Sequence, residues 1–169
     1  MSETVGFIGA GQMARALAAG MVASGKLSGQ QVCFFEPALA AAESFLGDVP
    51  DAKAVSSNRD LVANAAQIWL AVKPQMLDRV AGEIAGQIPS NALLISVVAG
   101  VSIEQLASQF KTRRVIRVMP NTPALIGHGA AGLARSDAVS NDEVARILEL
   151  MQSVGLCFEL DEPLLDVVT

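Results

Sequence analysis

Short apolar runs alternate along most of the chain with segments of helical spacing. The runs with β character lie at residues 4–8, 31–35, 67–72, 92–97 and 115–119. Between the first two runs, Met13, Leu17 and Met21 recur at every fourth position. This alternation predicts strand–helix–strand units on a parallel sheet, and continuous apolar strands predict that helices cover both of its faces.

The same spacing predicts further helices at residues 61–65, 77–88 and 103–110. Ser102 and Gln105 form a capping-box pattern at the start of the last of these. After residue 119 two prolines interrupt the pattern, because proline neither continues a central strand nor lets its predecessor enter a helix. A strand at 129–134, a helix from 140 or 141 to 153 and a strand at 156–160 are then expected to complete the sheet.

We assign residues 1–163 to one domain. Residues 164–169 have the composition of the opening of another helix. We therefore expect the chain to stop before a second domain.

A glycine-rich motif joins the first strand to the first helix. Gly9, Gly11 and Ala14 stand in the Gly-x-Gly-x-x-Gly/Ala spacing of dinucleotide-binding turns, in the required strand-to-helix context. Gly9 permits the tight turn, Gly11 lets the backbone approach a pyrophosphate, and Ala14 lets helix and strand pack closely. We predict a Rossmann-type α/β fold with a doubly wound, mostly parallel sheet. The cofactor-binding candidates here are Ile8, Gly9, Ala10, Gly11, Gln12 and Met13.

Glu36 ends the second predicted strand, 25 positions after Gly11. An acid in this place accepts hydrogen bonds from the adenosine ribose. Residues 37–42 include no Arg or Lys, so Glu36 favours NAD over NADP; the alternative is that Glu36 only begins the Pro37 turn in solvent. Arg59, which follows the candidate Asn58, could reach toward a 2′-phosphate instead.

Three later strand ends carry unusual residues that would meet at the same edge of a parallel sheet. Lys73 follows an apolar run and is stiffened by Pro74, and Asn121 lies between two prolines. Each residue taken alone is better explained as an ordinary loop residue, but their successive positions on one edge favour a shared cofactor site. The candidates on these loops are Ala71, Val72, Lys73, Pro74, Val98, Ala99, Gly100 and Asn121.

Composition narrows the classes of function. The chain has 169 residues, is 51% hydrophobic and 17% charged, and carries a net charge of −5. The length suits one domain, and the acidic balance argues against nucleic acid or an anionic membrane as a partner. No apolar stretch approaches the ~20 residues that a bilayer span needs. We expect a cytoplasmic protein that acts on a small molecule.

The sequence also argues against a metal site. His128 is the only histidine, and Cys33 and Cys157 lie far apart in apolar runs. A structural zinc site needs about four nitrogen or sulfur ligands. We therefore predict no metal and two buried free thiols.

Taken together, the motifs at 6–14, 71–74, 99–101 and 117–124, with the ending at 164–169, resemble pyrroline-5-carboxylate reductases. The resemblance covers essentially the whole chain. It implies NAD(P)H-dependent reduction of 1-pyrroline-5-carboxylate to L-proline, the last step of proline biosynthesis. It also implies that a C-terminal helical domain follows the Rossmann domain, forms the homodimer or a higher oligomer, and supplies much of the substrate pocket.

Two positions depart from the family pattern. Many members carry Ser or Asn, often near Arg, where this chain has Glu36, so the usual NADP preference gives way to an expected preference for NADH. His128 replaces residues such as Glu and receives no role. Reduction of a cyclic imine needs positioning more than acid–base groups, and we assign no catalytic residue. The alternatives are a non-catalytic dinucleotide-binding or regulatory module and another imine or carbonyl reductase of the same superfamily.

Overall fold

A computed structural model describes residues 3–165 of the chain. Strands and helices alternate through most of them. The strands are β1 (Val5–Ile8), β2 (Val32–Phe35), β3 (Lys53–Ala54), β4 (Gln67–Leu70), β5 (Leu93–Ser96), β6 (Val115–Pro120), β7 (Gly129–Arg135) and β8 (Gly155–Glu159). The α-helices are α1 (Gln12–Ala23), α2 (Leu39–Asp48), α3 (Asn58–Asn64), α4 (Leu77–Ile84), α5 (Ile103–Phe110), α6 (Asn141–Met151) and α7 (Glu162–Leu165).

All of these strands form one sheet in the order β3-β2-β1-β4-β5-β6-β7-β8. Neighbouring strands run parallel except β6 and β7, which are antiparallel. The chain winds outward from β1 in one direction through β2 and β3, and in the other from β4 onward. The predicted α/β class with a doubly wound, mostly parallel sheet is confirmed. The switch between β1 and β4 is where such sheets open a crevice for ligands.

Side chains alternate between the two faces of the sheet and build two cores. On one face, Phe7 stacks on Trp69 with ring centroids 5.8 Å apart, and α1 covers this layer with Leu17 and other buried residues. On the other face, Ile8 joins the cluster covered by α3, α4 and α5. Strands buried on both faces are apolar at every position, which is why their sequence pattern is continuous.

Some boundaries differ from the sequence prediction. The fourth helix ends at Ile84 instead of 88, because the backbone of Ala85 leaves the helical region. Strand β3 and helix α2 were not predicted. Strand β3 has only two residues, both exposed, and Phe45 is the buried residue of α2, so neither segment has a strong apolar period.

The last described helix is tied to the sheet through a buried arginine. Arg117 on β6 is 2% exposed, and its Nη1 lies 3.6 Å from Oε1 of Glu162 on α7. The same carboxylate oxygen accepts a hydrogen bond from the backbone N–H of Ile103, at 2.6 Å. The predicted helix at 164–169 therefore begins earlier, at Glu162, and its residues 166–169 lie outside the described part of the chain.

Candidate functional site

The carboxyl ends of β1, β4, β5 and β6 lie along one edge of the sheet, which we call the carboxyl edge. The connections that leave this edge carry the glycine turn and the loops that begin at Ala71, Val97 and Asn121. Strand β2 ends beside β1, which brings Glu36 to the same edge. The topology thus gathers the connections that carry the predicted cofactor residues.

The two glycines of the turn meet different physical demands. Gly9 has φ of +95°, and a Cβ on it would lie 2.8 Å from the backbone oxygen of Ala71, so the turn itself excludes a side chain. Gly11 precedes α1 with an ordinary φ of −70°, and a Cβ on it would meet no protein atom within 4 Å. The space in front of Gly11 is therefore open, and a ligand could approach the backbone there.

Helix α1 begins at this open space without a capping side chain. The first backbone N–H groups of an α-helix have no partner inside the helix, and they form its positive dipole end. Ala14 is fully buried where α1 packs on the sheet. The turn therefore presents unpaired donors and a positive end toward the space in front of Gly11, which suits a phosphate group.

A cavity of about 280 Å³ lies beside the turn, between the ends of β1, β2 and β4. Half of the predicted cofactor residues line it, namely Ile8, Gly9, Gly11, Glu36, Asn58, Ala71, Val72 and Lys73. The residues that sequence reasoning missed are Phe35, Pro37, Met76, Arg79, Val80 and Glu83. Three of these come from α4, whose orientation toward the sheet is not visible in local sequence.

Glu36 does not simply extend into solvent. One carboxylate oxygen accepts a hydrogen bond from the backbone N–H of Ala10, and the other accepts one from Ala38, both at 3.0 Å. The side chain therefore connects the glycine turn to the start of the next connection. These two contacts hold the negative charge of Glu36 at the wall of the cavity.

A second acidic group, Glu83, lines the same cavity. Glu83 accepts a hydrogen bond at 2.7 Å from Nδ2 of Asn58, which is 5% exposed, and its other carboxylate oxygen lies 3.4 Å from Nε of Arg79. Arg59 donates from Nε to the backbone oxygen of Glu83 at 3.0 Å. The alternative in which Arg59 reaches toward a 2′-phosphate is thus not the arrangement seen here, whereas Arg79 and Lys73 bring positive charge that residues 37–42 lack.

The remaining predicted residues do not line this cavity. They are Ala10, Gln12, Met13, Pro74, Val98, Ala99, Gly100 and Asn121. Val98 is buried in the core, and its N–H donates to Oγ of Ser96. Oδ1 of Asn121 accepts a hydrogen bond at 2.9 Å from the N–H of Ala130, so this amide braces its own hairpin. The N–H of Val98 and Oδ1 of Asn121 are therefore already bonded within the protein, and only other atoms of these two residues could bind a ligand.

Other features of the described residues point to no second chemical centre. Burial raises the pKa of the Cys33 thiol to about 11, and burial does the same for Cys157, so both thiols are protonated at neutral pH. Cys33 is buried as predicted, while Cys157 is only half-buried. Between residues 3 and 165, no group of three or more His, Cys, Asp or Glu side chains could hold a metal ion. No helix in that range has the length and apolar character to cross a membrane.

A larger open depression, of about 970 Å³, lies at the opposite edge of the sheet, between the ends of β7 and β8. Arg135 at its wall is already bonded to the backbone of Val139, to Asn141 and to Glu159. The depression has no glycine turn, and the start of α6 at its wall is already capped by Ser140, whose side chain accepts a hydrogen bond from the N–H of Glu143. The smaller cavity at the carboxyl edge is therefore the better candidate.

Comparison with known proteins is consistent with this site. A family model described as NADP oxidoreductase, coenzyme F420-dependent, matches residues 4–100, which include the glycine turn and the cavity. A pyrroline-5-carboxylate reductase from Synechocystis sp. is 34% identical over 169 residues, which is 100% of this chain and 62% of that protein. The chain thus spans less than two thirds of the length of this relative.

Two solved structures resemble the whole chain. A pyrroline-5-carboxylate reductase from Coxiella burnetii superposes with a TM-score of 0.92 at 27% identity, covering 99% of this chain and 63% of that one. A pyrroline carboxylate reductase from Plasmodium falciparum, solved with NADP bound, gives a TM-score of 0.86 at 27% identity and covers 99% and 61%. The resemblance inferred from the motifs is confirmed.

Proposed function

The chain belongs to the family described as NADP oxidoreductase, coenzyme F420-dependent, and on this premise we propose that it is the cofactor-binding part of a pyrroline-5-carboxylate reductase. The reaction would be the NAD(P)H-dependent reduction of 1-pyrroline-5-carboxylate to L-proline. The observation that carries the proposal is the open approach to Gly11 at an uncapped helix start, next to a cavity at the β1–β4 switch point.

In this proposal the pyrophosphate of the cofactor lies against the start of α1, beside Gly11. The adenosine half enters the cavity near Glu36 and Asn58, which we call the adenosine side of the carboxyl edge. The nicotinamide half extends over the ends of β5 and β6, toward Gly100 and Asn121, which we call the far side. The remaining predicted residues would contact the cofactor through backbone atoms or small side chains.

The chemistry asks little acid–base work of this chain. When bound, the reduced nicotinamide supplies a hydride to the imine carbon, and a protonated cyclic imine is already an electrophile. The role of these residues is to bind and orient the hydride donor. The polar groups that line the cavity could bind phosphate or ribose hydroxyls, and we assign no catalytic residue.

We further propose that Glu36 gives a preference for NADH. Its carboxylate is held at the cavity wall by two backbone N–H groups, where it can accept from ribose hydroxyls and repels a 2′-phosphate. Titration of the chain with NADH and NADPH should show tighter binding of NADH. Glu36→Ser should shift the preference toward NADPH, and tighter binding of NADPH by the unaltered chain would contradict the proposal.

The remaining proposals concern the longer protein. The chain spans 62% of the length of the Synechocystis relative, and the resemblance supports a C-terminal helical domain after residue 163 that forms a homodimer or larger assembly. The composition supports a cytoplasmic enzyme without nucleic-acid or membrane partners. Size measurement of the longer protein, with and without its residues beyond 169, tests the role of that domain in assembly.

Activity separates the proposal from its rivals. The 169-residue chain should bind dinucleotide but reduce 1-pyrroline-5-carboxylate poorly, because in this proposal the C-terminal helical domain would supply much of the substrate pocket. Steady-state assays of the chain and of the longer protein measure this difference. Rapid turnover by the chain alone contradicts the two-part site. Dinucleotide binding without turnover in the longer protein indicates a regulatory module, and turnover of other imines or carbonyls only indicates another reductase.

A further inference from the structure

We infer that Glu83 is a specificity-determining residue that discriminates against NADPH. Its carboxylate already contacts the amide of Asn58 and the guanidinium of Arg79, the two groups that a ribose 2′-phosphate would need. The inference rests on the proposed dinucleotide site and deepens it. Glu83 lies on α4, outside the glycine motif and outside the strand end that carries Glu36. Neither of those sequence signals points to it.

The geometry around Glu83 resembles that of a bound anion. Its carboxylate receives one hydrogen bond from the buried amide of Asn58, at 2.7 Å, and faces Nε of Arg79 at 3.4 Å. All three residues line the cavity that also contains Glu36. The side chain of Glu83 is 35% exposed, so it is partly withdrawn from water. A carboxylate held between an amide donor and a guanidinium takes the place that a phosphate oxygen would need.

The charge balance of the cavity supports the same conclusion. The ionisable residues that line it are Glu36, Lys73, Arg79 and Glu83, two acids and two bases. A 2′-phosphate adds close to two negative charges, which two carboxylates oppose. Nε of Arg79 faces Glu83 while the Arg79 side chain is 67% exposed, so in this inference the carboxylate competes with a ligand phosphate for the guanidinium. Adenosine with a free 2′-hydroxyl needs no such cation, and the carboxylate of Glu36 can accept from it.

Arg59 cannot easily replace Arg79 in this role. Nε of Arg59 donates to the backbone oxygen of Glu83, and a substitution of the Glu83 side chain leaves that acceptor in place. Arg59 also does not line the cavity. The amide oxygen of Asn58 is buried and has no hydrogen-bond partner among the described residues. Nδ2 of the same amide donates to Glu83. In this inference, the contribution of Glu83 to the choice between cofactors depends on whether it releases Arg79, while its bond from Asn58 can remain.

The test is Glu83→Gln, which preserves shape and can still accept from Asn58 but removes the charge that pairs with Arg79. We expect NADPH affinity to rise roughly tenfold, the scale of one hydrogen bond to a charged group, while NADH affinity changes by less than about twofold. Isothermal titration with NADH, NADPH, 5′-AMP and 2′,5′-ADP measures both the shift and its dependence on the 2′-phosphate.

Two further variants make the test specific. Asp78→Asn removes an exposed acid from the same helix, outside the cavity, where it accepts from Gln109; it should leave the NADPH-to-NADH ratio unchanged. Arg79→Gln combined with Glu83→Gln should abolish the gain, because the freed guanidinium is its source. Thermal unfolding should show that all variants remain folded, since these side chains lie at the surface or at the cavity wall.

The outcomes distinguish this inference from the proposed function. If the unaltered chain binds dinucleotide but Glu83→Gln leaves the ratio unchanged, the inference is wrong and the site stands. The inference is equally wrong if Asp78→Asn gives the same shift, because the effect would then be general electrostatics. If the unaltered chain binds neither dinucleotide, the proposed function and this inference both fail.

Discussion

The adenosine side and the far side of the carboxyl edge use their polar groups in different ways. On the adenosine side, side chains from β2, α3 and α4 surround a cavity, and Glu36 and Lys73 face it. On the far side, the Oγ of Ser96 serves its own loop by accepting from Val98, and Asn121 braces its own hairpin. If the carboxyl edge binds a dinucleotide as proposed, one half of the ligand would meet mainly side chains and the other half mainly backbone and small residues.

This difference has a physical basis in the sheet. The switch point separates β1 from β4, and the helices that follow diverge there, which leaves room for a cavity. Strands β5 and β6 continue in one direction, and their loops must satisfy their own backbone groups. Glu162 contributes to this by accepting from Ile103 and pairing with Arg117. The comparison predicts that substitutions on the adenosine side change ligand binding, whereas those on the far side change stability.

The largest effect is expected at the glycine turn. Gly11→Ala should weaken binding of both dinucleotides by roughly a hundredfold or more, because its Cβ enters the space that the pyrophosphate would occupy. The unfolding free energy should fall by no more than about 1 kcal/mol, the cost of Ala for Gly at a helix N-cap, since that Cβ meets no protein atom within 4 Å. Isothermal titration and urea unfolding measure the two quantities.

Two other glycines calibrate this result. Gly9→Ala should lose both binding and stability, because φ of +95° and the contact with Ala71 oppose a side chain. Gly25 has φ of +72°, but a Cβ on it would meet no atom within 4 Å. Gly25→Ala should therefore lower the unfolding free energy by about 1 kcal/mol through backbone strain and leave binding unchanged. If Gly11→Ala binds dinucleotide with the affinity of the unaltered chain, the pyrophosphate does not lie at this turn.

At the start of α5, which follows the loop after β5, the largest expected effect is on stability. Glu162→Ala should lower the unfolding free energy by about 2 kcal/mol, because it removes one partner of the buried Arg117 and the acceptor for Ile103. Affinity for 5′-AMP should stay unchanged. Glu159→Ala is the matched control. The Glu159 side chain is 42% exposed, so its ion pair with Arg135 should contribute little to the unfolding free energy. Equal destabilisation by both variants would show that burial of Arg117 is not the cause.

Lys73 tests whether charge on the adenosine side acts on the shared part of both cofactors. Lys73→Met should weaken NADH and NADPH alike, by roughly threefold to tenfold, because it removes positive potential beside an anionic ligand. Lys53→Met, at an exposed lysine on β3 outside the cavity, should have no effect. A loss confined to NADPH would instead assign Lys73 to the 2′-phosphate.

The sequence predicted the local parts of this arrangement and missed those that depend on packing. Gly9, Gly11 and Glu36 were identifiable because a tight turn and a strand end impose residue types at fixed spacing. Arg79 and Glu83 were not, because the polar face of α4 looks like any solvated helix face until its rotation against the sheet is known. The burial of Asn58 was likewise not visible in the sequence, because it results from the packing of α4 beside α3.

The fold shows the same division. Strands such as β4 and β5 were visible because burial on both faces leaves them apolar throughout. Helix α2 was not visible, since Phe45 is its buried residue, and neither was the pairing of β3 at the sheet border. The pair of the buried Arg117 and the partly exposed Glu162 joins residues 45 positions apart. No local pattern encodes such a pair, because it forms only when the fold brings α7 against β6 and removes Arg117 from water.

The smallest expected effect belongs to Asn121, a residue that sequence reasoning assigned to the cofactor. Its amide oxygen already accepts from Ala130, so Asn121→Ala should cost about 1 kcal/mol of unfolding free energy for that one hydrogen bond. Dinucleotide affinity should stay within about twofold of the unaltered chain, because bracing a hairpin does not require contact with the ligand. Asn91→Ala, at an exposed loop position of the opposite edge, is the control for loss of a surface amide. If Asn121→Ala instead weakens NADH binding more than fivefold while the unfolding free energy is unchanged, the far side contributes a side chain to the cofactor, and the contrast between the two sides is one of degree.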